Sequence, residues 1–435
     1  MIMMVMKVLL VGDGARENML AEQLARSSEL YVAMEKRNPG IERFSNKFFV
    51  CDYSNIEAIG GWAVRENIDV ALITSETALA KGMSDAISDC GLKLASPPGS
   101  GTVLGENTLY ALNLMKAAGI AAPRFRSCSN EKELKSAMKE MRSSIIKPSV
   151  KVEWKGTRFG ETDLRKPEDM VRYGKQMIKR QGSVVVEEFI DGETFSLQGI
   201  TDGKSLSVMP PVHIAKRLED GNKGELTEGM GGFSSGRLLP FMRQDELDKA
   251  RESLMRLVTA MKGKGTDYRG PIRGEFIITK SGLLMLDAYA TFGDIDTLNN
   301  LLLLRSQLGE AIISVTEGSL KQLIFQERAT VIKYLVPKGY PGKPKKSQII
   351  IDERALWNQG AKVCAESVVM DNKGMWTSKG RSIAICASGG NLAEAESKAE
   401  DAAMSVKGEL QHRKDIGTAD YVNRAIKHLA LLRSA

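Results

Sequence analysis

Two carboxylates stand where a sheet core calls for hydrophobes. In GEFIITKSGLLMLDAYATFGDID, residues 274–296, two strand-like runs flank a Lys-Ser-Gly turn. Each run carries one acid among apolar neighbours, Glu275 and Asp287. Antiparallel neighbours would set the two side by side on one face. Without countercharge they would repel each other and lose hydration. A divalent cation removes both costs, and Mg2+ or Mn2+ takes carboxylate oxygens together with nucleotide phosphates and water. Two separate solvent-facing acids are the plainer reading, and the pair alone does not choose between them.

Three further groups bear on that choice. Lys147 ends the apolar run IIK, and Lys155 with Gly156 lies in the basic, turn-rich stretch PSVKVEWKGTRFG. This composition suits a flexible loop over a nucleoside triphosphate, and it suits a surface hairpin. Val184–Val186 run into Glu187 and Glu188, with Ile190, Asp191, Gly192 and Glu193 just beyond. Such a strand end presents backbone groups to an adenine, and Glu193 could accept both ribose hydroxyls; a solvated turn reads the same way. Gly12-Asp13-Gly14-Ala15-Arg16-Glu17-Asn18 falls where a strand turns into a helix. Amides at a helix N-terminus attract anions, and Arg16 could add a charge-assisted contact. The third glycine of the dinucleotide fingerprint is missing, and no acid marks an NAD ribose site, so a plain structural turn stays open.

The elements that must position these groups follow from periodicity. MKVLLVGDGARENMLAEQLARS reads as strand, glycine turn and helix, and YVAME, KFFVCD, VALIT and LKLAS read as further short strands. Alternation with helical stretches predicts a parallel α/β sheet over about the first 100 residues. SPPGSG at 96–101 reads as a linker. IIKPSVKVEW, SVVVEEF, FSLQGIT and SLSVMPPV are strand-like, EDMVRYGKQMIKRQ is helix-like, and LDKARESLMRLVTAMKGKG is an amphipathic helix. The last hundred or so residues mix strands (ATVIKYLV, SQIIID, SIAICA) with a helix around AEAESKAEDAAMSVKGEL.

At 435 residues the chain exceeds one core, which predicts two to four modules of about 100–200 residues. Its 43% apolar and 26% charged content is that of an ordinary globular protein. No apolar run is long enough to span a membrane, and MIMMVMKVLLVG reads as mature protein, not a signal peptide. Five scattered cysteines argue against disulfides or a zinc site and for a cytoplasmic protein. With only three histidines, nucleophilic chemistry built on histidine has few candidates. The net charge of +7 is spread along the chain, which fits a polyanionic small substrate as well as nucleic acid.

The order of these motifs resembles the ATP-grasp family of glycinamide ribonucleotide synthetases, its archaeal members most closely, over essentially the whole chain. GDGARENML resembles the family's G-x-G-G-R-E-H-A-L, and VVVEEFIDGETFSL its V-V-x-E-E-F-x-x-G-E-E-F-S. KRLEDGNKGELTEGMGGF, YRGPIRGEF, TFGDIDTLN, KYLVPKGYPGKP and HRKDIG are similar to later family motifs in the same order.

The resemblance implies multidomain α/β and α+β architecture. An N-terminal parallel α/β domain is expected over 1–103, an ATP-grasp domain with a lid at about 120–190 over 104–325, and a small α+β domain over 326–435. It implies ligation of glycine to 5-phospho-β-D-ribosylamine through a glycyl phosphate, with ATP and Mg2+ or Mn2+ as cofactors. Carried over, Lys147, Lys155, Glu187, Glu188, Ile190 and Glu193 hold ATP, Ile190 through its backbone. Gly14, Arg16, Glu17 and Glu76 face the phosphoribosyl substrate, Lys216 and Asp294 are catalytic, and Glu275 and Asp287 bind metal. Small-molecule substrates, no nucleic acid, no membrane and a monomer or weak dimer complete the expectation.

The chain departs from the family at Asp287, Tyr289 and Thr291, where a Glu, a ligand Asn and an Arg are usual. Asn18 replaces a His, and Leu226 an Asn. A glycine-rich loop becomes SVKVEWKG. The alternative is therefore a diverged homologue with other acid and amine substrates, or without catalysis.

Overall fold

The computed structural model describes residues 6–141, 143–151, 158–159 and 166–434, the pair 158–159 as backbone only. Lys155 and Gly156 lie outside the described residues.

The first hundred residues form the expected parallel sheet. Its strands are Lys7–Val11, Glu29–Met34, Lys47–Val50, Val70–Ile73 and Lys93–Leu94, in spatial order 3-2-1-4-5. The strand Lys7–Val11 pairs with both Glu29–Met34 and Val70–Ile73, so the strand order reverses beside it. Loops at the carboxyl ends of such strands form a crevice where ligands bind. The turn at 12–14 and the helix Ala15–Leu24 emerge there.

The linker expected at 96–101 is shorter than predicted. Pro98 caps a helix, Gly99–Glu106, because an extended proline fits just before a first turn whose amides lack helical partners. The helix Thr108–Ala117 follows directly, with the Asn107 side chain accepting from the Tyr110 amide.

Beyond the sheet of Phe125–Cys128, Ser144–Pro148 and Val184–Glu188, the central strands pack into two further antiparallel sheets. Glu193–Thr201 and Gly282–Tyr289 flank Gly270–Thr279, with Leu206–Val208 at the edge. The two acid-bearing strands are joined at the Lys-Ser-Gly turn, as their alternation required. Glu275 and Asp287 are direct cross-strand partners, with a register shift immediately after Glu275. The second sheet starts with His213–Glu219 and Lys223–Ser234, a hairpin not anticipated from the sequence. It continues into the C-terminal strands Ala329–Pro337, Ile383–Gly389 and Ala361–Ala365. One sheet thus crosses from the central segment into the C-terminal segment.

Apolar packing follows the same continuity. A single cluster links Val8, Leu10 and Met19 to Phe276 and Phe292 and on to Val331 and Ile385. A second covers the other face of the N-terminal sheet around Trp62. The third is local: Leu134, Met170, Met177, Val184 and Val186 lie between the helices Glu131–Met141 and Pro167–Gln181 and the sheet of Phe125–Cys128, Ser144–Pro148 and Val184–Glu188. The apolar cores thus both divide the chain and bridge its segments. The segment around 125–188 has its own core, the N-terminal sheet has one on its outer face, and the largest runs through all three segments. No helix among the described residues is long and apolar enough to cross a membrane.

Candidate active site

Two cavities meet near the acid-bearing strands. The larger, about 420 Å³, is bounded by Lys147 and Lys151, by the strand end Glu187–Glu193, and by Leu286 and Asp287. The smaller, about 270 Å³, lies between the Gly14 turn, Glu76, the helix start at Asp294 and the C-terminal residues Glu366 and Arg381. Ile214, Lys216 and Glu275 line both. They form the wall that the two cavities share.

The larger cavity gathers most of the expected nucleotide residues. Lys147 and Glu187 are diagonal neighbours on Ser144–Pro148 and Val184–Glu188, two positions off register and so on the same face. Lys147 Nζ lies 2.7 Å from Glu187 Oε2 and donates to the Leu286 carbonyl at 3.2 Å. Burial alone would push the Lys147 ammonium down, and the charges of Glu187 and Asp287 outweigh it, so it stays a cation. Glu188 is held bidentately by Arg124, at 2.8 Å for each contact. Ile190 lines the cavity. Glu193, the expected ribose acceptor, receives His428 Nδ1 at 2.7 Å. His428 comes from the last helix, Ala419–Ser434, which the sequence reading missed. Burial lowers its imidazole pKa, but Glu193 and Asp191 together shift it upward.

The two acids expected to hold a metal stand together at this wall. Glu275 and Asp287 are adjacent, yet neither lacks countercharge. Lys216 Nζ lies 2.6 Å from Glu275 Oε2, and Lys151 Nζ lies 2.6 Å from Asp287 Oδ1. Asp287 also accepts from its neighbour's amide, Ala288, at 2.9 Å and from the Tyr289 hydroxyl at 3.2 Å. Burial raises both carboxyls, but the lysines outweigh it and hold both below the ordinary range. No group of three or more His, Cys, Asp or Glu side chains is placed to hold a metal ion among the described residues. The donor set present does not fit a preformed divalent-cation cage.

The smaller cavity is lined by Gly14, Arg16, Glu17 and Glu76, the residues expected to face the substrate. The helix amides expected to meet a phosphate already carry the protein's own carboxylates. Gly14 N donates to Glu17 Oε2 at 2.9 Å, and Ala15 N to Glu366 Oε2 at 2.5 Å. Glu17 folds back over Gly12, where φ is +151° and an added Cβ would fall 2.5 Å from Glu17 Cγ. Only glycine fits beneath it. Arg16 is buried and engaged with Glu17 at 2.6 Å, the carbonyls of Phe292 and Thr74 at 2.5 and 2.7 Å, and Asp294 at 3.3 Å. It braces the N-terminal turn against Phe292 and the helix start at Asp294. Glu76 accepts from Thr291 at 3.1 Å, which gives the unusual Thr a partner. Asn18 bridges Gly40 O at 2.9 Å and Ala365 N at 3.0 Å, fastening the C-terminal segment to the first helix.

Glu366 and Arg381 were not singled out from the sequence. Arg381 Nη2 donates to Asp294 Oδ2 and lies 3.2 Å from Glu366 Oε1. Burial pushes the Glu366 carboxyl up to about 7 despite Arg381. Asp294 feels the same burial but faces both Arg16 and Arg381, and is held low.

Family models settle what kind of chain this is. Those of phosphoribosylglycinamide synthetase match in order: N domain over residues 6–104, ATP-grasp (A) domain over 106–297 and C domain over 330–419. The chain belongs to the phosphoribosylglycinamide synthetase family. A phosphoribosylamine–glycine ligase of Thermococcus kodakarensis is 33% identical over 432 residues, covering 98% of this chain and all of that relative. One from Methanobrevibacter smithii is 32% identical, covering 98% and 99%. The crystal structure of the Thermotoga maritima phosphoribosylamine–glycine ligase superposes with a TM-score of 0.79 at 22% identity, over 94% of this chain and 100% of that one. That likeness shows that the synthetase fold is kept.

Proposed function

We infer that the chain ligates glycine to 5-phospho-β-D-ribosylamine at the expense of ATP, giving glycinamide ribonucleotide, ADP and phosphate in purine biosynthesis. It is an ADP-forming carbon–nitrogen ligase. The observation that carries the placement is the shared wall: Lys216 and Glu275 border both cavities. A phosphoryl donor on one side and an acceptor on the other meet there.

ATP takes the larger cavity, with adenine against the backbone at Ile190, ribose toward Glu193, and phosphates toward Lys147, Lys155 and Lys216. Glu187 and Glu188 act through Lys147 and Arg124. Glycine and the ribosylamine take the smaller cavity, bounded by Gly14, Glu17 and Glu76, with Arg16 positioning Asp294. A glycine carboxylate oxygen attacks the γ-phosphorus and the bond to ADP breaks. The ribosylamine nitrogen then attacks the acyl carbon, phosphate leaves, and one nitrogen proton departs with it. Lys216 neutralises charge building at the transferred group, where phosphoryl transfer needs it. Asp294 faces the glycine ammonium. Mg2+ or Mn2+ is the expected companion of the nucleotide phosphates.

The boundaries 1–103, 104–325 and 326–435 are proposed as the working domains, with about 120–190 as the lid. The separate apolar core within that segment supports a body that moves as a unit. The enzyme is proposed to work in the cytoplasm as a monomer or weak dimer, on small molecules only.

ADP release with glycine and ribosylamine generated in situ tests the reaction. It is expected to require ATP, glycine and the amine together, and to fall about 100-fold in Lys216→Met. Release that ignores glycine, or is untouched by that change, would sink the assignment.

A further inference from the structure

We propose that Lys151 is a fixed cation of the nucleotide cavity, anchored by Asp287 where a two-carboxylate site would hold a divalent ion, so that the nucleotide-free protein binds no metal there. The proposal rests on the reading that this cavity takes ATP.

Asp287 has little left to offer a metal. Oδ1 takes the Lys151 ammonium at 2.6 Å and the Ala288 amide at 2.9 Å, and Oδ2 takes the Tyr289 hydroxyl at 3.2 Å. The ammonium is held further by the Ala288 carbonyl at 3.3 Å and lies 4.2 Å from the Tyr289 ring centroid. The same ring has the Arg273 guanidinium 3.8 Å from its centroid. Cations over an aromatic face are attracted by its quadrupole. Tyr289 thus braces two cations and presents a neutral phenol to the acid.

Charge balance points the same way. Glu187 faces Lys147 at 2.7 Å, Asp287 faces Lys151 at 2.6 Å, Glu275 faces Lys216 at 2.6 Å, and Asp296 faces Arg273 at 3.8 Å. Glu187, Asp287 and Glu275 thus each face a lysine before any ligand arrives, while Asp296 shares Arg273 with Glu275. A divalent ion entering alone would leave two positive charges uncompensated in a poorly hydrated site. A triphosphate brings its own negative charge and meets Lys147, Lys151 and Lys216, which all line its cavity.

Two measurements on the full chain test this. The first is Mn2+ binding without nucleotide, read as the difference between the native protein and Asp287→Asn. No difference is expected. Mn2+ bound by the native protein and lost in that variant overturns the proposal. The second is binding of a non-hydrolysable ATP analogue in EDTA. Binding is expected, weakened about tenfold or more in both Lys151→Met and Lys151→Gln. Unchanged affinity in these variants, or no binding in EDTA when Mg2+ restores it, also overturns the proposal. An analogue that fails to bind even with Mg2+ would instead overturn the nucleotide reading beneath it.

Discussion

Arg381 and Asp294 form an ion pair at 2.5 Å that ties the C-terminal segment to the first turn of the helix Asp294–Leu303. Arg16, from the N-terminal domain, reaches the same carboxylate at 3.3 Å. One acid is thus the meeting point of all three segments. Arg381 is almost wholly buried, so its loss leaves a void and takes the countercharge from Asp294 and Glu366. Arg381→Ala is expected to cost about 3–5 kcal/mol of stability and to abolish ligation. Thermal unfolding together with ADP release checks both, and a variant with native stability would contradict the buried-pair account.

The pair Lys147–Glu187 separates stability from binding. Lys147→Met strands a fully buried Glu187 and is expected to cost about 3–5 kcal/mol. Adding Glu187→Gln removes the stranded charge and restores most of that stability, while nucleotide binding stays weak because the ammonium is gone. Unfolding and nucleotide titration of the two variants decide this, and recovery of both properties together would refute it.

His428 gives a pH signature. Its folded pKa is raised by Glu193 and Asp191. The pair's contribution is therefore complete below the unfolded value of about 6.5 and fades as pH rises through the higher folded value. The site is partly exposed, so the size is below about 1 kcal/mol. His428→Gln should lower the melting temperature at about pH 5.5 and leave it unchanged near about pH 9. An equal loss at both would show that packing, not charge, is what the imidazole supplies.

Glu366 predicts a second pH trend with its own sign. Burial raises its folded value from 4.5 to about 7. The folded state holds the proton more tightly, so stability is lost as pH rises through that window. Glu366→Gln cannot ionise and should gain on the native protein from pH 5 to pH 8, by on the order of 1–3 kcal/mol. Parallel stability profiles across that range would show that Arg381 and the Ala15 amide fully stabilise the anion.

Much of the scaffold was legible in the sequence because it is local. Alternating apolar residues around a Lys-Ser-Gly turn were enough to pair Glu275 with Asp287, and a wholly apolar run was enough to lead a strand into Glu187 and Glu188. Motif order was enough for the family. What each site residue does was decided by neighbours the local pattern does not encode. Lys151 meets Asp287 across 136 positions, His428 meets Glu193 across 235, and Glu366 meets the Ala15 amide across 351. A strand's hydrophobic period is written in consecutive residues, because its side chains alternate between two faces. The countercharge of a buried acid depends on which remote side chain the packed fold carries to it. Hence the two acids could be placed together from the sequence, while only the tertiary structure showed that lysines already balance them.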